Sequence, residues 1–149
     1  MIGWGEWLEL YNPTTEPIVL QDFQIRNADA ETITITQDIF IPSHGYVVIG
    51  NNNNHGTNGL VSVDFMYNNQ AFQLSNQEDL SIWKDDVLLD QISYNVPIEQ
   101  QNTGQSLSVL PEFLDHLSND NPSSWCLATT LYGDGDYGTP GTENQSSCP

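Results

Sequence analysis

Thr32-Ile33-Thr34-Ile35-Thr36, followed by Ile41-Pro42-Ser43-His44-Gly45-Tyr46-Val47-Val48-Ile49-Gly50, is the stretch whose reading decides the fold. The first five residues alternate polar and apolar β-branched side chains, the period of a strand with one face buried. A proline and a glycine then make a turn. Tyr46 to Gly50 follows as an apolar run too short for a helix, which reads as a central buried strand. Toward the N-terminus, residues 6–11 (Glu6-Trp7-Leu8-Glu9-Leu10-Tyr11) form a run that stops at Asn12-Pro13. Pro17 to Leu20 leads into Phe23-Gln24-Ile25-Arg26, where alternation returns. Toward the C-terminus, Asn51 to Gly59 is a polar loop rich in residues that tolerate positive φ. Val61 to Phe65, Ala71 to Leu74, Asp79 to Trp83, Val87 to Tyr94 and Ser106 to Leu110 read as further strands, with Lys84-Asp85-Asp86 as a hairpin turn.

No helix of any length and no βαβ alternation interrupts this series. About eight or nine short strands at this spacing predict an all-β, immunoglobulin-like antiparallel sandwich, with a long irregular wrap from Pro111 that includes Trp125. The expected inward side chains are Leu8, Leu10, Leu20, Phe23, Ile25, Ile33, Ile35, Val47, Ile49, Leu74, Leu80, Ile82, Val87, Leu89, Ile92, Leu107 and Val109.

The 149 residues suit one domain, 1–149, and four Trp, six Tyr and five Phe supply bulk for its core. Charge is the outlier: twenty acidic residues face only Arg26 and Lys84, for a net charge of −18. Phosphate backbones are bound through Lys and Arg that displace counterions. Direct binding of nucleic acid or an anionic membrane is therefore disfavoured unless cations bridge the two. Two readings of the acidity stay open: solubility in a salty medium that screens self-repulsion, or attraction of cations or a basic partner. Cys126 and Cys148 have neither zinc-site nor Cys-x-x-Cys spacing, and a disulfide in an oxidising compartment is the simplest expectation. No run approaches the ~18 apolar residues of a membrane span, and none reads as a signal peptide. The strand pattern starts almost at once, so the expectation is a fragment of a longer exported protein, with Met1 as an added start residue.

Taken in order, several of these segments resemble one family. Glu6 to Pro13 followed by Pro17-Ile18-Val19-Leu20 is similar to the opening of the lamin tail domain. The turn and strand from Ile41 to Gly50, the Leu74-Ser75-Asn76-Gln77-Glu78-Asp79-Leu80 turn, and Gly104-Gln105-Ser106-Leu107 continue the likeness. Trp125, Gly138-Thr139-Pro140-Gly141 and Asn144 close it, so that it covers Glu6 to Asn144. The resemblance implies an immunoglobulin-like sandwich used as an accessory module beside extracellular nucleases, phosphatases and cell-surface proteins, and as an interaction surface in nuclear lamins. In bacterial members a Gly-Thr-Pro-Gly tail with a nearby cysteine pair is common, which fits export. The family shares no catalytic residues, so none carries over. Animal nuclear members are far less acidic, which makes their DNA and chromatin partners poor guides.

Chemistry-bearing motifs are few. His44, His55 and His116 share no metal-ligand spacing, and no Gly-x-Ser-x-Gly elbow is present. Strand alternation places Glu6 and Glu9 on opposite faces, Glu9 beside Trp7 and Tyr11, so they do not form a glycosidase-like pair. Asp134 and Asp136, in a glycine-rich turn, are the candidate calcium ligands. Calcium takes six to eight oxygens, and EF-hand spacing fails at Gly138 and Gln145. A plain tight turn is the alternative. Trp4, Trp7, Tyr132 and Tyr137 are the candidate ligand-binding aromatics, able to stack on sugar rings if exposed and otherwise part of the core.

The expected function is a non-catalytic, extracellular or cell-surface recognition or adhesion module for a protein or polysaccharide partner. It requires no cofactor, with calcium as the one candidate. The rivals are a calcium-stabilised spacer, an accessory domain of an extracellular nuclease or phosphatase, and a small hydrolase.

Overall fold

The computed structural model describes residues 5–101 and 103–149. Its strands are β1 (Trp7–Tyr11), β2 (Ile18–Val19), β3 (Gln24–Asn27), β4 (Thr32–Thr34), β5 (Phe40–Ile41), β6 (Tyr46–Gly50) and β7 (Phe65–Met66). They continue with β8 (Gln77–Lys84), β9 (Val87–Asn95), β10 (Leu107–Val109), β11 (Trp125–Leu127), β12 (Leu131–Tyr132) and β13 (Asp136–Tyr137). Only single 3-10 turns represent helix among the described residues.

Two sheets form the sandwich. One has the order β4-β3-β8-β9 and the other β1-β6-β7. In the first, Ile33 lies opposite Ile25 and Ile25 opposite Ile82, so the alternating residues of three strands build one apolar row. In the second, Leu8 lies opposite Ile49, Leu10 opposite Val47, and Ile49 opposite Phe65. The two rows meet in one core with Leu20, Ile35, Ile41, Tyr67 and Phe72. Pairing is antiparallel except between β6 and β7, which run parallel, and at a parallel bridge between Gln105 and Tyr137. Asp85 and Asp86 join β8 to β9 with φ of 50° and 60°. This is the left-handed pair that a two-residue hairpin requires and that Asp tolerates.

Several expectations need correction. Of the run Val61 to Phe65 only its end is strand, and Ala71 to Leu74 is not strand, although Phe72 is fully buried. Val87 and Leu89 are not inward: they are 59% and 41% exposed. Both lie an odd number of residues from Ile92, whose partner is Leu80, so alternation along β9 turns them to the opposite face, and the register shift between Ile82 and Trp83 leaves Leu89 without a partner. The C-terminal wrap is more regular than expected, since β11 pairs with β10 and β12 with β13. Cys126 and Cys148 are joined, with Cα atoms 5.6 Å apart.

Asn12 ties the first strand down. It is fully buried, and its Nδ2 donates to the carbonyls of Glu16, Ile41 and Pro42 at 2.7, 3.1 and 3.1 Å. Its Oδ1 accepts from the Thr14 N–H and hydroxyl at 2.9 and 2.7 Å.

Candidate functional site

β1 is the last strand of its sheet, and its register decides what its free edge presents. The Asn51 N–H donates to Glu6 O, and the Asn12 N–H donates to Gly45 O. In an antiparallel pair, bonded and non-bonded positions alternate. The main-chain groups of Leu8 and Leu10 therefore point at β6, and those of Trp7, Glu9 and Tyr11 point away from it. Among the described residues no main-chain group bonds to that outer edge.

A cleft of about 790 Å³ runs along this edge, lined by every residue from Gly5 to Tyr11. Across from β1 stand residues 103–109, which include β10, together with Trp125 and the Asp90, Ile92 and Tyr94 side of β9. Leu8, Leu10, Leu80 and Ile82 line its inner side. The opposite face of β1 is covered by the C-terminal segment. There Trp7 meets Tyr132 edge-on at 6.3 Å between ring centroids, and the Gly141 N–H donates to Glu9 Oε2. The cleft is mainly apolar with a few convergent polar groups, the usual make-up of a ligand site.

Five of the lining residues are acidic, Glu6, Glu9, Asp90, Asp115 and Asp136, beside His116 and neutral Ser, Thr, Asn and Gln side chains. Burial, less the Gly141 hydrogen bond and with the charge of Asp64 added, pushes the Glu9 carboxyl up to about 7. Burial also raises Asp90, against donors from Asn119 and the Gln91 N–H. Glu6 is raised by burial too, while it accepts from the Tyr67 hydroxyl and the Leu74 N–H. Glu6 and Glu9 thus face opposite ways, as alternation requires. Neither Arg26 nor Lys84 lines the cleft. Arg26 lies over the Trp83 ring and Lys84 over Phe23. Ser106 and Ser108 place their hydroxyls 3.3 Å from each other, and among the described residues no Ser or Thr hydroxyl bonds to a histidine.

The residues singled out in the sequence separate into several places. Trp4 lies outside the described residues. Trp7 and Tyr132 come together, with Trp7 Nε1 donating to the Tyr132 hydroxyl at 3.3 Å. Tyr137 points to the other face of the β12–β13 hairpin, because Tyr132 pairs with Asp136 and Leu131 with Tyr137. Asp134 is exposed at the hairpin tip. Asp136 packs its carboxylate against two glycines: a Cβ on Gly104 would sit 2.5 Å from Oδ1, and one on Gly59 3.3 Å from Oδ2. Both glycines have φ of +73°, so the carboxylate occupies space that only glycine leaves open. Among the described residues, no three His, Cys, Asp or Glu side chains converge as a metal-ligand group. No motif in the sequence marks Glu9 or Asp90 as a site residue. The available signal for Glu9 was a lone carboxylate between two aromatics on one strand face. No family model, curated protein or solved structure matches the chain.

Proposed function

We propose that the chain is a non-catalytic recognition or adhesion module of an exported or cell-surface protein, and that it takes its partner in the cleft beside β1. The observation that carries this is the pairing of an open strand edge with an apolar cleft of about 790 Å³. The joined Cys126 and Cys148 support an oxidising compartment, and among the described residues no helix is long and apolar enough to cross a membrane. Kinship with lamin tail domains, proposed from the motif order, agrees with a module that binds rather than reacts. The apolar lining favours a protein partner over a polysaccharide. Titration with Nile red, a neutral apolar dye that the net charge does not repel, tests the reading. One saturable site is expected, weakened in Ile92→Trp, which places an indole in the cleft, provided that variant melts like the parent. Dye uptake that is not saturable, or that Ile92→Trp leaves unchanged, would remove the cleft as a binding site.

A further inference from the structure

We propose that the cleft takes an extended peptide segment of another protein, alternating apolar and basic residues, which adds to β1 as an antiparallel strand. This rests on the recognition reading above and names the occupant and its mode of binding.

The main chain sets the mode. Trp7, Glu9 and Tyr11 each aim an N–H and a C=O at the cleft, spaced two residues apart as a pairing strand requires. Five residues of β1 span roughly 17 Å at 3.4 Å per residue, so a segment of similar length matches the edge. Leu107 and Val109 on the far wall have the same relation to β11. The Ala128 N–H donates to Ser106 O and the Leu110 N–H to Ser124 O, which turns the main-chain groups of residues 107 and 109 away from β11. On that side the Val109 C=O accepts from Asn144 Nδ2 at 2.9 Å, so the open edge facing this space is that of β1. Unpaired strand edges are templates for strand addition.

The side chains set the alternation. In a strand paired with β1, residues beside Leu8 and Leu10 point into the apolar side of the cleft, next to Ile92 and Leu80. Residues opposite Glu9 point to its side, where they meet a carboxylate with no cationic partner. Asp90, Asp115 and Asp136 also line the cleft, where His116 is the one basic side chain and no Lys or Arg is present. A lysine or arginine opposite Glu9 supplies the missing charge, whereas an acidic residue there meets a chain of net charge −18. The same alternation makes the peptide's basic residues the ones whose main-chain groups face β1, since directly opposite residues share both a face and a bonded pairing.

The probe is a short labelled peptide, acetylated and amidated, that alternates valine and lysine. Its affinity is read by fluorescence anisotropy, beside a valine–glutamate peptide and a copy N-methylated at the lysines. The lysine peptide should bind at least about tenfold tighter than the glutamate peptide, and N-methylation should cost about tenfold or more by removing the donors that face β1. Amide exchange of Trp7, Glu9 and Tyr11 should slow at least about tenfold on binding, with Leu8 and Leu10 unchanged. Equal binding of the N-methylated peptide would overturn strand addition, and equal binding of the glutamate peptide would overturn the basic partner. Slow edge amides without peptide, together with concentration-dependent sedimentation, would make the occupant a second copy and overturn the proposal. If no peptide binds while Nile red still saturates one site, this inference fails alone. If neither binds, the recognition reading fails with it.

Discussion

Replacing Glu9 by glutamine should stabilise the protein at pH 8 and leave it nearly unchanged at pH 4. The carboxyl is raised from 4.5 to about 7, chiefly because burial penalises its charged form. In the unfolded chain the group ionises near its ordinary value, so the folded state binds the proton more tightly. Below pH 4.5 the carboxyl is protonated in both states and imposes no penalty. As pH rises from 4.5 through 7 the folded protein must ionise a half-buried group, and above 7 the full cost applies. At about 1.4 kcal/mol per unit, that cost approaches roughly 3 kcal/mol. Glutamine keeps the shape and an acceptor for the Gly141 N–H but never ionises. The difference between variant and parent should therefore grow by about 2–3 kcal/mol from pH 4 to pH 8. In a chain of this size that corresponds to about 4–12 °C in Tm. Urea unfolding at both pH values reads the difference directly, since the pH dependence of the other carboxylates cancels between the two proteins. The exposed Glu99→Gln removes the same unit of charge from the surface and reports any general relief of self-repulsion. An equal effect of Glu9→Gln at both pH values, or one matched by Glu99→Gln, would refute the buried-carboxylate reasoning.

Asn12→Ala removes the donor shared by three carbonyls and the acceptor for Thr14, and should cost about 2–4 kcal/mol in urea unfolding. A loss under about 1 kcal/mol would show that water replaces these bonds. Cys126 and Cys148 close a loop with a sequence separation of 22, so replacing both by serine should cost about 3 kcal/mol, read as a Tm lower by several degrees. Thiol titration of the denatured, unreduced parent should find no free thiol, and a free pair would remove the support for an exported protein. With Asp136 packed between Gly59 and Gly104 and Asp134 exposed, the hairpin is short of the six to eight oxygens that calcium takes. A few millimolar calcium against EDTA should move Tm by less than about 1 °C, whereas a shift of several degrees would mean that the turn rearranges into a site.

The fold was legible where one residue type does one job. Thr32 to Thr36 and Tyr46 to Gly50 have the alternation and apolar continuity of a strand, which the structure forms over Thr32–Thr34 and Tyr46–Gly50, and the Asp85-Asp86 turn lies where two consecutive left-handed residues are needed. Phe72 and Tyr67 escaped notice as core because they flank the polar Asn68-Asn69-Gln70, where no periodicity marks an inward direction. Val87 and Leu89 misled because their apolar character argues for the core while their position argues against it: they lie an odd number of residues from Ile92, which pairs with Leu80, so alternation turns them outward. The cleft is a different kind of feature. That β1 ends its sheet depends on which strand lies beside which, and no local pattern within Trp7–Tyr11 carries that information. Glu9 could be placed on the face of Trp7 and Tyr11, but its hydrogen-bond donor, the Gly141 N–H, lies far along the chain.

The most direct measurement is amide hydrogen exchange along β1 in the free protein. Leu8 and Leu10, bonded to β6, should be strongly protected, while Trp7, Glu9 and Tyr11 exchange at least about a hundredfold faster, giving alternate slow and fast amides along one strand. Uniform protection from Trp7 to Tyr11 would mean that another strand already covers the edge. The open edge, and the binding cleft built on it, would then be contradicted.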